Sequence, residues 1–82
     1  MQFRIDTSVL IRLANHTDPQ HGVADAAVRK PVLQGNEPFI TPQSLIEFRA
    51  AATRPKTVNG LGLTPAECER KVIVYETEYV LL

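Results

Sequence analysis

Two acids stand where this sequence could do chemistry. Asp6 is followed at once by the hydroxyls of Thr7 and Ser8, and Glu47 is the one acid in the apolar stretch from Leu45 to Ala52. Neither has a catalytic partner beside it in the chain, so any joint role depends on the fold. Carboxylates brought together either repel, which raises a pKa, or share a hard divalent cation such as magnesium or manganese. A structural reading stands next to that one. Asp6 can end a strand and bond the backbone amides that follow, and Glu47 can pair with Arg12, Arg49 or Arg54, because ion pairs also gather acids without any catalytic purpose. Spacing alone leaves both readings open.

Other reactive side chains carry less. His16 and His21 flank a helix start and read as exposed polar residues rather than ligands. Gly60 and Gly62 are followed by no P-loop lysine, so they make a poor phosphate cradle. Cys68 falls on an apolar stripe and reads as a small core residue.

The elements that must position the two acids punctuate themselves. Phe3 and Ile5 give a short buried strand that breaks at Asp6, and Thr7 or Ser8 can cap a helix carrying Val9, Leu10, Leu13 and Ala14. That helix fades at Asn15-His16. Asp18-Pro19 predicts the next start, an acid at the cap and proline at the first helical position, with Val23, Ala24, Ala27 and Val28 on one narrow face. Pro31 should kink or end this helix, since it lacks the donor and its ring clashes one turn back. Glu37 to Ile40 gives a second strand, with Pro38 tolerable at its start or on an edge.

Thr41-Pro42 opens a third helix through Leu45, Ile46, Phe48 and Ala50 to Ala52, apolar on much of its circumference and closed by Arg54-Pro55. A glycine-broken loop follows, whose Leu61 and Leu63 should dock on the core. Thr64-Pro65-Ala66-Glu67 is a complete capping box for a fourth helix with Cys68, Val72, Tyr75 and Tyr79 in a stripe. Val80-Leu81-Leu82 then reads as the start of a third strand. The cap-proline pairs at 18, 41 and 64 are each 23 residues apart. The residues between them do not repeat, so the period is a coincidence and not a solenoid.

Acids at the ends of the first two strands can meet only if those strands run parallel. The intervening helices, forming a right-handed crossover, would put the ends of both strands at one sheet edge, where open α/β sheets bind their ligands. Asp6 and Glu47 would then converge on one cavity, with Thr7 and Ser8 beside them. Glu47 also lies in the second turn of its helix, near the positive end that favours a carboxylate.

Composition bounds the rest. With 82 residues the chain makes a single domain, and one of this size buries only about 60% of its unfolded surface, so its core is thin and a partner would help it. Nine basic residues balance nine acidic ones, which gives no net-charge argument for nucleic-acid binding. The lone Cys68 excludes an internal disulfide and fits a reducing compartment. No apolar run is long enough to span a membrane and no signal-peptide core opens the chain. A cytoplasmic address follows as the default.

Three stretches carry a family resemblance. Ile5-Asp6-Thr7-Ser8-Val9-Leu10, then Phe39-Ile40-Thr41-Pro42-Gln43-Ser44-Leu45-Ile46-Glu47-Phe48, then Ala52-Thr53-Arg54-Pro55 to Asn59-Gly60-Leu61-Gly62-Leu63-Thr64 together resemble PIN-domain ribonucleases of the VapC-like toxin type. The resemblance implies an α/β/α sandwich with a short, mainly parallel sheet, here truncated and with about four helices. It implies an endoribonuclease site in which magnesium or manganese activates a water for phosphodiester hydrolysis. By the same resemblance Asp6 and Glu47 are the metal-binding and catalytic acids, with Thr7 and Ser8 in support. RNA is the implied substrate, and an antitoxin protein and a second copy of the chain are implied partners. The family's later strands and helices, with an aspartate at a His-Asp-Ala-like helix start, lie beyond the residues present here. Glu67, Glu69, Glu76 and Glu78 do not match that motif. The alternative is a catalytically dead PIN-like remnant acting as a binding or dimerisation module.

Overall fold

The computed structural model describes the whole chain, Met1–Leu82. Its elements run β1 (Gln2–Arg4), α1 (Thr7–Ala14), α2 (His21–Leu33), β2 (Glu37–Ile40), α3 (Pro42–Thr53), a 3₁₀ turn (Lys56–Val58), α4 (Pro65–Glu78) and β3 (Val80–Leu81). The three strands form one parallel sheet in the order β1-β2-β3, with Gln2 opposite Glu37 and Phe39 opposite Val80. This is the small α/β architecture with a short parallel sheet and four helices that the sequence predicts. The ladder outlasts the strands themselves. Ile5 donates its N–H to Phe39 O and Leu82 its N–H to Ile40 O, both at 2.9 Å.

β2 is the central strand, yet it contains Pro38, a residue expected only at a strand start or edge. Geometry removes the conflict. Glu37 N and Phe39 O bond towards β1, so by alternation Pro38 turns its missing donor to the other side. On that side β3 begins pairing only at Phe39. The proline therefore costs the sheet no ladder bond.

Two helix starts differ from the sequence reading. The N-cap of α1 is Asp6, not Thr7 or Ser8, and Asp6 caps with its backbone: its carbonyl accepts from Val9 and Leu10 while its side chain makes no cap bond. Helix α2 begins at His21, not at Asp18-Pro19. There the Asp18 carboxylate accepts from Gln20 N at 2.7 Å and its carbonyl accepts from His21 N at 3.0 Å, which spends the cap acceptor on a turn two residues early. Pro31 sits inside α2, and the helix closes two residues later at Leu33. Gly35, at φ +89°, completes the closure: its N–H meets Val32 O and Asn36 N–H meets Pro31 O. That paired pattern needs a left-handed residue, which glycine supplies without a Cβ clash.

The other two helices start as predicted. Thr41 Oγ1 accepts from Ser44 N at 3.1 Å, and Thr64 and Glu67 form the reciprocal capping box. α1 packs against α2 and α3, and α3 against α4. Between them lies one core of Ile5, Leu10, Ile40, Leu45, Phe48, Val72 and Tyr75, closed by the smaller Val28, Ala52 and Cys68. Leu61 and Leu63 dock on it, as the glycine-broken loop suggested. Only 12 residues are buried, so each large core side chain carries a sizeable share of the stability. No helix is long and apolar enough to cross a membrane.

Candidate functional site

β1 and β2 run parallel and end at the same edge, and each feeds a helix directly. The N-termini of α1 and α3 therefore stand side by side. Between them opens a cavity of about 340 Å³ whose walls hold no hydrophobic residue. Asp6, Thr7 and Ser8 enter it from the β1–α1 junction, and Thr41, Gln43, Ser44 and Glu47 from β2–α3. The structure thus brings all four sequence-named residues, Asp6, Thr7, Ser8 and Glu47, to one hollow.

Glu47 is held from two sides. Thr7 Oγ1 donates to Oε2 at 2.8 Å, and Gln43 Nε2 donates to Oε1 at 3.0 Å. The Gln43 bond first, then the Thr7 bond, hold its carboxyl below the usual range, with Arg4 adding a smaller pull. A donor that favours the charged form does this, and the carboxylate stays ionised. The ion pairs expected for a purely structural Glu47 do not form. Arg49 instead pairs with Glu69 at 2.8 Å, which joins α3 to α4. Asp6 is likewise not bonded to the amides after it. Its Oδ1 accepts from Arg4 Nη2 at 3.0 Å, with both side chains more than half exposed.

Sequence reasoning missed Arg4, Gln43, Thr41 and Ser44. Arg4 could have been found from strand alternation, which puts residues two apart on one side. Gln43 could have been found from helical spacing, since it lies four residues before Glu47. Ser44 is buried and its hydroxyl is bonded to Thr41 Oγ1 at 2.8 Å, which ties two of the lining residues together.

The donor set is made of oxygens: two carboxylates, hydroxyls and the Gln43 amide. Such a set fits a hard divalent ion bound through one or two carboxylates and completed by water. Asp6 and Glu47 are its acids; no cluster of three His, Cys, Asp or Glu side chains exists in the chain. The two histidines meet each other at a tilt of 33°, ring centroids 4.5 Å apart, and neither lines this cavity. Another hollow of about 360 Å³ lies between α3 and α4 beside Arg49 and Cys68. It brings together no pair of acids, and its Arg49–Glu69 pair is already satisfied. Cys68 itself is buried, and that burial pushes its thiol up. No protein-family model, curated protein or solved structure matches the chain.

Proposed function

We propose that this chain carries a divalent-metal site of the PIN ribonuclease type, with Asp6 and Glu47 as its carboxylates and RNA phosphodiesters as its substrate. The observation that supports it most is the meeting of both acids in one polar cavity at the ends of two parallel strands. Asp6 and Glu47 would hold magnesium or manganese, and the bound ion would supply Lewis-acid charge and an activated water for hydrolysis. Thr7 and Gln43 aim the Glu47 carboxylate and keep it ionised. Ser8, on the cavity wall, offers a hydroxyl to a phosphate oxygen. Two acids leave most of the metal's shell to water, so activity calls for a further wall from a second copy or from a second polypeptide. A cytoplasmic setting agrees with the lone reduced Cys68. The test is purified protein with manganese and a structured RNA at high protein concentration. Cleavage lost in both Asp6→Asn and Glu47→Gln is the expected result, and no cleavage by the parent chain refutes the activity.

A second reading rests on a different surface. β3 is an edge strand, and Val80, Leu81 and Leu82 are exposed on it, with Ile73 and Val74 exposed on α4. An open, apolar edge invites strand pairing with another copy, so the chain would serve as a catalytically silent dimerisation module. Sedimentation decides this: a monomer at high concentration rules it out.

A further inference from the structure

The positive charge that meets Asp6 belongs to the chain itself. Arg4 and Asp6 lie two residues apart on extended backbone, so their side chains leave on the same side. Their side chains touch at 3.0 Å, and both line the cavity that holds Glu47. With Arg4 present the two carboxylates carry a net charge of −1; without it they carry −2. A divalent ion therefore meets a half-neutralised site.

We propose that Arg4 is a tethered counter-cation that a divalent ion must displace from Asp6, so that this residue sets the metal affinity of the cavity. The inference rests on the metal-site reading above and deepens it. Exposure makes the displacement feasible: the Arg4 side chain is 61% and the Asp6 side chain 64% exposed, and an exposed pair of this kind is weak. Arg4 can swing into water on its long stem, yet its charge stays nearby. Arg4 lines the same cavity as both acids. In a lightly salted buffer a single positive charge kept within the same cavity opposes the binding of a divalent ion by up to about tenfold. The absence of a competing cation thus strengthens the site, whereas the loss of an ordinary structural partner would weaken it.

The experiment is a manganese titration of the full chain, following the paramagnetic resonance signal of the free aquo ion. Arg4→Gln keeps the stem and removes the charge, Arg4→Lys keeps the charge, and Lys30→Gln on α2 removes an exposed charge elsewhere. Circular dichroism confirms that each variant is folded. Arg4→Gln should bind manganese between about threefold and tenfold more tightly, with Arg4→Lys close to the parent and Lys30→Gln unchanged. Equal or weaker binding by Arg4→Gln, with binding still lost in Asp6→Asn, overturns the role of Arg4 and leaves the metal site standing. An equal gain in Lys30→Gln also overturns it, because the effect is then net charge alone. No binding by either the parent or Arg4→Gln at millimolar manganese overturns both proposals.

Discussion

Removing one oxygen atom from Tyr75 tests how α4 holds the helix that carries Thr7. Tyr75 is 5% exposed and its hydroxyl donates to the Leu10 carbonyl of α1 at 2.7 Å. Its ring meets Phe48 edge-on at 5.2 Å and stacks against Tyr79 at 6.0 Å. Tyr75→Phe keeps both ring contacts and the volume, so the change isolates the hydrogen bond. A buried bond of this kind contributes about 0.5–1.5 kcal/mol, and a carbonyl left short of a partner adds up to about 1–3 kcal/mol. We expect a loss of about 2 kcal/mol, out of the roughly 4–12 kcal/mol typical of a chain this size. With a urea slope near 1 kcal/mol/M the unfolding midpoint falls by about 2 M. Tyr79→Phe is the control: that ring is half-buried and its hydroxyl bonds to nothing in the chain, so the midpoint should move by less than about 0.5 M. A Tyr75→Phe midpoint within that same margin refutes the reasoning.

Phe48→Ala empties the centre of the core, where the side chain is fully buried; a loss of about 3–5 kcal/mol is expected, seen as partial unfolding at 37 °C by circular dichroism. Gly35→Ala meets no neighbouring atom but must keep φ near +89°, so chemical denaturation should show a loss of about 1 kcal/mol from backbone strain alone. Acid should destabilise the fold through Glu47, Glu67 and Glu69, whose carboxyls lie below the usual range because of bonds from Gln43, Thr64 and Arg49 respectively. A depressed folded pKa means that the unfolded chain takes up protons first. That stability is therefore complete above about pH 5 and is lost as pH falls through about 4 and below; denaturation midpoints measured from pH 7 to pH 3 should show the decline there, and Glu47→Gln should flatten part of it.

Parallel pairing of β1 with β2 was legible because each short strand leads through a buried isoleucine, Ile5 or Ile40, into helix-start residues, and a strand-helix-strand chain has few other ways to bury them. The capping box of α4 and the Cys68-Val72-Tyr75 stripe were legible for the same reason: local chemistry and burial agree there. Where several residues could do one job, pattern failed. Asp6, Thr7 and Ser8 are all competent caps, and only the three-dimensional path shows that Asp6 takes the position with its backbone while Thr7 turns to Glu47. Asp18 looked like a cap because its side chain does bond a forward amide, but in a turn. Arg4 left no trace in the hydrophobic pattern, since it is an exposed cation; its one signal was the two-residue offset from Asp6 on extended backbone, which puts both on one side.

The site depends on the core more than its exposed side chains suggest. Glu47 belongs to α3, yet one of its two donors, Thr7, is the first residue of α1. α1 is in turn fixed by Leu10, whose side chain is fully buried and whose carbonyl is bonded by Tyr75 of α4. A shift of α1 along α3 by about half an ångström would stretch the Thr7–Glu47 bond, now 2.8 Å, beyond good geometry and free one carboxylate oxygen. The position of Asp6 would shift with it, because that residue caps the same helix. The two acids are therefore held in register by the packing of α1 between α2 and α3, not by any contact between themselves. Tyr75, far from the cavity in sequence and bonded to the helix that carries Thr7, is a natural place for a stability change to become a change in site geometry.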